Sequence, residues 1–451
     1  MLKVSGTLFA DGSGKVFPLH GFALGTWMML ENVMLGFPGL EQHFRQDLLE
    51  YAGKEKSDFF WENFLNDFVQ EADIRFLGEI GCNVIRLPFN YRYFESDTKP
   101  FVYNINGFHH MDRLIGYCKK YGIRVILDMH SLPGFQNKGW HSDNPTGEIR
   151  LFLEPHYQER TRKLWQFIAE HYKNEDAVAG YELLNEPDAV GKEAIKGLNQ
   201  VYRDTVKAIR EVDKEHIIFL EGNTYGRTFA ELDEPFADQL AYSCHYYGAD
   251  PSVQLHYPVE SGMNKSLIAA QIYNLASFAQ KHKVPLWVGE FASNTIGDLR
   301  YLTNENQFLS DQLEIFNSMG LSWTFWSYKT IPNWGTVTCT SDSPWMQMAA
   351  PFLTQKKKYN CDFDGSLYKI SELGGILKPL YYDDFRESDI PVDAIIQRDL
   401  ASAFSRGLIN VFAKELAKLP FDDLKQLTGS FRFENCVQYE NWLTPIRKHL
   451  K

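Results

Sequence analysis

Short apolar runs recur along the chain, separated by longer amphipathic stretches. The runs rich in β-branched and aromatic residues predict eight strands. They are β1 near Leu19–Leu24, β2 at Asn83–Pro88, β3 at Arg124–Asp128, β4 at Gly180–Leu184, β5 at Ile217–Leu220, β6 at Ala241–His245, β7 at Pro285–Gly289 and β8 at Ser322–Trp326. Between them, apolar residues return at helical spacing, as in Tyr157 to His171, Ile195 to Val212, Lys265 to His282 and Asn306 to Met319. Strands alternating with helices predict an α/β fold with a parallel sheet, and eight of each close into a (β/α)8 TIM barrel. A doubly wound sheet alternates too, but it usually carries a glycine-rich phosphate turn after its first strand, and Gly21-Phe22-Ala23-Leu24-Gly25 does not match that turn.

Two stretches exceed a minimal barrel. Between Leu24 and Asn83 lies an insertion after the first strand, containing Trp27 to Pro38 and a predicted helix around Phe59 to Leu77. Loops that follow barrel strands crown the active face, so this material is placed to wall a substrate site. After Trp326 the chain continues in a long tail. Asp393 to Leu419 reads as helix there, with apolar Ile395, Ile396, Leu400, Phe404, Leu408, Val411 and Phe412. No Pro/Gly/Ser linker or internal repeat sets the tail apart, so residues 1–345 are read as the barrel and 346–451 as a C-terminal helical extension packed on it.

Composition narrows the partners. The 451 residues are 44% hydrophobic and 23% charged, which is ordinary for a globular chain. A net charge of −12 argues against nucleic acid and against an anionic membrane surface. The single dense basic run, Lys356-Lys357-Lys358, is short and reads as a solvated helix end. No apolar window is long enough for a membrane span, and Met1-Leu2-Lys3-Val4-Ser5-Gly6 has no signal-peptide pattern. The six cysteines lack CxxC spacing, so free buried thiols and a cytoplasmic location are expected.

Two glutamate motifs carry the chemistry. In Leu183-Leu184-Asn185-Glu186-Pro187 and in Trp287-Val288-Gly289-Glu290-Phe291, a glutamate ends an apolar strand-like run. Such a position lies at the mouth of a barrel, where ligands bind. Two carboxyl groups facing one sugar are what glycoside hydrolysis requires: one protonates the leaving oxygen, and the other attacks or stabilises the anomeric carbon. Glu186 is assigned as general acid and base, a role that calls for a raised pKa, and Glu290 as nucleophile. Asn185 supplies an amide for a sugar 2-hydroxyl. Each residue also has an ordinary structural reading, as a helix cap for Asn185-Glu186-Pro187 or a mouth ion pair for Glu290.

These motifs and the strands that bear them resemble glycoside hydrolase family 5, of the retaining (β/α)8-barrel clan. The resemblance runs from about Leu19 to Trp326 and does not reach the tail. It implies that Arg86 at the end of β2 orients the nucleophile, although Arg86 also has Glu182 to balance. It implies further that His130 touches the sugar before the cut and that Tyr247 bonds Glu290. His245 then lies near Glu186, and Trp326 floors the subsite of the cleaved sugar. His130-Ser131-Leu132-Pro133-Gly134-Phe135-Gln136-Asn137 is similar to the loop after strand three in the family's exo-acting β-1,3-glucanases, so Gln136 and Asn137 are taken as substrate contacts. Trp27, Trp140, His141 and Trp334 are further candidates from the loops, and Glu31-Asn32 is placed to reach a non-reducing sugar.

The expected activity is double-displacement hydrolysis of a β-glycoside, exo-acting on small glycosides or oligosaccharides. An endo-acting β-glycanase or a glycosylceramide-type hydrolase is the alternative. Carboxylates perform both steps, so no metal or organic cofactor is called for, and the one partner expected is carbohydrate. Oligomeric state is open at this point.

Overall fold

The computed structural model describes residues 1–248, 257, 263–293, 302–359, 361, 379–380 and 401–450. Eight strands form a closed barrel: β1 His20–Ala23, β2 Val84–Asn90, β3 Arg124–Ser131, β4 Val178–Glu182, β5 Ile217–Glu221, β6 Leu240–Tyr246, β7 Leu286–Phe291 and β8 Ser322–Phe325. Each pairs in parallel with its neighbours, and β8 closes on β1 through Trp323↔His20 and Phe325↔Phe22. The predicted TIM barrel is the observed fold. Among the described residues no helix is long and apolar enough to cross a membrane. Cys82, Cys118, Cys244, Cys339 and Cys436 are free thiols, all but Cys436 buried, and Cys361 is buried too.

The barrel interior has two layers. Leu19, Val84, Ile126, Ala179, Ile217, Phe219, Ala241 and Trp287 fill the lower end, together with Leu2 and Phe9. The last two belong to an N-terminal antiparallel hairpin, Lys3–Ser5 with Leu8–Ala10, that plugs the bottom of the barrel. This hairpin is absent from the sequence reading, because three-residue strands are too short to show alternation. Above the apolar layer the interior turns ionic, with Arg86, Asp128, Glu182, Glu221 and Ser243 all fully buried.

The insertion after β1 forms helices Asn32–Leu35, Glu41–Phe68 and Glu71–Glu79. The predicted Phe59–Leu77 helix is therefore broken, and the cause is local. The Gln70 side chain accepts from the backbone of Asp73, and Asp73 accepts from the Gln70 backbone at 2.8 Å, a reciprocal cap that starts a new helix. The earlier half of Glu41–Phe68 is hidden from periodicity by Gly53, whose left-handed φ of 75° bends the helix and shifts its buried face.

The tail rides on this insertion. Helix Ala401–Lys418 packs on Glu41–Phe68, where Arg406 donates to both oxygens of buried Asp47. Helix Glu440–His449 packs on Leu302–Ser318, and strand Cys436–Gln438 pairs with Val337–Cys339. Helix Pro344–Tyr359 begins just before residue 346, so the boundary drawn from sequence cuts its first turn. Of the predicted Asp393–Leu419 helix, residues 393–400 (Ile395, Ile396 and Leu400 among them) lie outside the described residues.

Lys329, just past β8, ties these parts together. Its buried ammonium donates to the carbonyls of Phe68 and Phe431 at 2.9 and 2.8 Å and pairs with Asp73 at 2.5 Å. Replacing Lys329 with Met strands Asp73 as a buried charge, and removal of one partner of such a pair costs about 3–5 kcal/mol. The expected result is a clearly lowered midpoint in urea or thermal unfolding. An unchanged midpoint would mean the ammonium contributes nothing net.

Candidate active site

Arg86, in the middle of β2, organises the mouth of the barrel. It is fully buried, and every arm of its guanidinium is engaged. Nε donates to Glu182 at 2.6 Å, Nη1 to Glu290 at 2.5 Å, and Nη2 to the Asn185 amide oxygen at 2.8 Å, with Asp128 3.0 Å from Nη2. Both readings of Arg86 hold: it balances Glu182 and it touches Glu290. The Asn185 amide nitrogen is buried with no partner among the described residues, so a donor is left for a ligand.

Glu186 does not sit on a strand. β4 stops at Glu182, and the chain turns so that Glu182 and Asn185, an odd number of positions apart, both meet Arg86. Glu186 itself has φ of 50°, a left-handed conformation that costs a non-glycine residue about 1–3 kcal/mol. Two hydrogen bonds hold it there: its N–H donates to Glu221 Oε2 at 2.9 Å, and its carbonyl accepts from Asn137 Nδ2 at 2.9 Å. Its carboxyl lies 2.8 Å from His245 Nδ1 and 3.0 Å from His141 Nε2. Burial works to raise its pKa, but the two imidazoles outweigh it and hold the carboxyl well below the usual range. That reverses the raised value expected from sequence; in the free protein Glu186 is a carboxylate clasped by two rings.

Glu290, at the end of β7, is addressed from two sides. Arg86 reaches one oxygen, and the Tyr247 hydroxyl donates to the other at 2.6 Å. Burial next to Glu290 and Glu186 pushes the Tyr247 phenol well above its ordinary value, which keeps it a donor. His245 lies between the two glutamates, with Nδ1 3.5 Å from Glu290. One carboxylate oxygen of Glu186 and one of Glu290 come within 4.8 Å of each other.

The walls sort the remaining candidates. The His130 ring stacks on Trp326, with centroids 5.5 Å apart and planes 8° apart, and its Nδ1 is 2.7 Å from Asp128. Burial pulls the His130 pKa well down, so the ring is neutral, with Nδ1–H directed to Asp128. Gln136 and Asn137 are fully buried and serve the backbone in place of the substrate contacts expected of them. Gln136 Nε2 donates to the carbonyls of His130 and Asn185, while Asn137 braces Glu186. Trp27 is also corrected: it is fully buried, and its indole N–H donates to the Leu65 carbonyl at 2.9 Å, under the insertion and away from the glutamates. Trp140 packs with Leu40 and Cys361, and Trp334 packs beside Trp326.

Two residues gain importance. His141 comes from a single 3-10 turn, Trp140–Ser142, in the connection after β3, and nothing in the sequence beyond its ring marked it as a partner of Glu186. Glu31 is buried with its carboxyl 4.0 Å from His130 Nε2. Burial raises the Glu31 pKa to about 8, helped by the charges of Glu290 and Glu186 and opposed by His141. Among the described residues three triplets have metal-ligand spacing: Glu62, His109 and His110 towards the surface, Glu182, Glu221 and His245, and Glu186, His245 and Glu290. In the second and third, the permanent charge of Arg86 contacts a member carboxylate and so opposes a cation.

A parallel (β/α)8 barrel with two carboxyl groups converging at its mouth has the arrangement that glycoside hydrolysis requires. The family model described as Cellulase (glycosyl hydrolase family 5) matches residues 41–330, and the chain belongs to that family. It is a hydrolase acting on β-glycosides. Among its relatives is a Beta-xylosidase of Phanerodontia chrysosporium, 35% identical over 97% of this chain and 95% of that one. Endoglucanase C of Acetivibrio thermocellus is 27% identical over 60% of this chain and 87% of its own. The crystal structure of endogalactoceramidase shares the fold, with TM-score 0.56 and 16% identity, covering 73% of this chain and 75% of that one.

Glu31 yields a pH prediction. In the folded protein it stays neutral up to about pH 8, whereas the unfolded chain ionises it near its ordinary 4.5. The folded state therefore holds an extra proton in that window. Its contribution to stability is full below pH 4.5 and is lost as pH rises through 8. Replacing Glu31 with Gln should flatten this part of the decline when melting temperature is followed from pH 5 to 9. Parallel curves for the two proteins would show that Glu31 does not titrate as described.

Proposed function

We propose that the protein is an exo-acting, retaining β-glycosidase that removes a terminal sugar, with β-xylosyl as the first choice of sugar and β-glucosyl as the second. The observation that carries the reading is that one carboxylate oxygen of Glu186 and one of Glu290 lie within 4.8 Å of each other, a nearest-oxygen separation compatible with the retaining arrangement. Retaining glycosidases hold their carboxyl groups about 5–5.5 Å apart, whereas inverting ones leave room for a water at about 6.5–9.5 Å.

Glu290, oriented by Arg86 and Tyr247, attacks the anomeric carbon as Glu186 protonates the departing oxygen. A covalent glycosyl ester on Glu290 results. Water, deprotonated by Glu186, then attacks the same carbon and releases the sugar, and two inversions leave the configuration unchanged. The Asn185 amide is placed for the 2-hydroxyl, and the Trp326–His130 stack for the ring face. Glu186 begins as a carboxylate, so the acid step requires a proton to reach it; one substrate role is to displace an imidazole from its oxygens.

Exo action is supported by the insertion. It delivers Glu31 beside His130, and a carboxyl kept neutral to about pH 8 donates a hydrogen bond to a chain-end hydroxyl. The sugar choice is supported by the relative named Beta-xylosidase, which is matched over nearly the whole chain, tail included. The endo-acting alternative has the relative named Endoglucanase C in its favour, matched over 60% of the chain.

A panel of nitrophenyl β-glycosides (xyloside, glucoside, galactoside, mannoside, cellobioside), with product anomers followed by NMR, tests the reading. Fastest turnover of the xyloside or glucoside is expected, with β-anomer appearing first. A product that appears as α-anomer would overturn the nucleophile role of Glu290. Release of dimers from a xylo- or cello-oligosaccharide, with no monosaccharide, would favour the endo reading. A second test is Glu290→Gln, expected to lower kcat on the best substrate by several orders of magnitude, because the covalent path is removed. Activity within about tenfold of the parent would refute the assignment.

A further inference from the structure

Glu221 closes β5 and takes no part in the mechanism above. It is fully buried. Its Oε2 accepts the backbone N–H of Glu186 at 2.9 Å. Its Oε1 faces His245 Nε2 at 3.4 Å without hydrogen-bonding to it, and each of these buried atoms lacks a hydrogen-bond partner among the described residues. On its far side the same ring places Nδ1 2.8 Å from Glu186 Oε1. One carboxyl group thus holds Glu186 directly through the backbone and faces its side chain across a single imidazole. The chain folds tightly over this contact: Gly226 has φ of 74°, and a Cβ there would fall 2.5 Å from Glu221 Oε1.

We infer that Glu221 is the positioning residue of Glu186 and shares one proton with it through His245. This rests on the acid and base role given to Glu186. In the resting arrangement Glu221 Oε1–H is directed at His245 Nε2, and His245 Nδ1–H donates to the Glu186 carboxylate. For the acid step, the proton on Glu221 moves to Nε2 while the proton on Nδ1 moves to Glu186. Glu221 becomes a carboxylate, Glu186 a carboxylic acid, and His245 changes tautomer without gaining charge. No proton enters or leaves, so the total charge of the buried site stays constant.

The surroundings favour this resting arrangement. The charged groups facing the trio are Arg86, Asp128, Glu182 and Glu290 from the barrel, and His141 and Glu31 from the loops. Burial, with the charges of Glu182 and Glu186, pushes the Glu221 carboxyl well above its ordinary value, while His141 and His245 hold Glu186 well below. A carboxylate that must act as an acid therefore has a protonated carboxyl one ring away.

Glu221→Gln tests the inference. The amide oxygen still accepts from the Glu186 N–H, and the amide N–H is still directed at His245 Nε2, but it gives up no proton and fixes Glu186 as a carboxylate. Two aryl β-glycosides are compared, of the sugar that the parent protein turns over fastest. The phenyl glycoside needs a proton to leave, and the 2,4-dinitrophenyl glycoside does not. The expected loss in kcat/KM for the first glycosylation step is on the order of 100-fold or more on the phenyl glycoside, and within about 5-fold on the dinitrophenyl one. Equal losses on both, or no loss on either, would overturn the inference.

Glu186→Gln is run alongside. If it loses the phenyl glycoside selectively and Glu221→Gln does not, the inference alone fails. If it shows no such selectivity, the acid role of Glu186 fails and the inference with it. Turnover of the dinitrophenyl glycoside reports that Glu221→Gln is folded. Should it not fold, His245→Asn breaks the same bridge: selective loss supports proton sharing, and equal loss on both glycosides contradicts it.

Discussion

One buried guanidinium sets the terms for everything above it. Arg86 contacts Glu182, Glu290, Asp128 and Asn185 from the centre of the barrel, in a region without solvent to moderate the charges. Its planar fork fixes where each of those groups points, which a lysine ammonium would not do. Asp128, Glu182, Glu186, Glu221 and Glu290 all gather at this end, and burial pushes Asp128, Glu182 and Glu221 toward their protonated forms. Glu186 is pushed down by imidazoles; Glu221 and Glu182 are pushed up by burial. The proposed chemistry uses this imbalance among neighbours of the same chemical type.

The outer architecture serves the same end. Glu31 reaches the site on a short stretch that has little secondary structure of its own, so other elements must hold it. Lys356 donates its buried ammonium to the Asn32 carbonyl at 2.9 Å, and the Trp345 indole N–H donates to the Leu35 carbonyl at 2.7 Å. Both come from helix Pro344–Tyr359, which packs on helices Phe421–Gly429 and Ala401–Lys418 and whose Trp345 N–H donates to Ser430 Oγ at 3.1 Å. The C-terminal extension thereby braces the stretch that carries Glu31. The relative named Beta-xylosidase matches along this extension as well as along the barrel.

Much of this was legible from residue order. Apolar runs of strand length located all eight barrel strands, because strands buried on both faces leave an uninterrupted hydrophobic signal. The two glutamates at their ends, with Arg86, Asn185, His245 and Tyr247, were named from motifs, and the structure brings them together. What could not be read was direction beyond the strand ends. The strand stops at Glu182, and the turn that follows brings Asn185, three positions on, to the same guanidinium. Gln136 and Asn137 sit in the predicted loop, but their amides turn inward to unsatisfied carbonyls, since a buried loop must pair its backbone before it can meet a ligand. Trp27 follows its indole N–H to Leu65 for the same reason. Glu221 was passed over because a glutamate at a strand end gains meaning only from the residues it meets across the barrel, and those come from β4 and β6.

The central claim is that Glu290 becomes covalently bonded to the sugar while Glu186 stands within 4.8 Å to serve both half-reactions. A 2-deoxy-2-fluoro β-glycosyl substrate with an activated leaving group slows the second half-reaction and lets the ester accumulate, so intact mass followed by peptide mapping measures the claim directly. The account predicts a mass increase of one fluorosugar carried by the peptide containing Glu290. Turnover or inactivation with no label, or a label carried by Glu186 or any other residue, would contradict it.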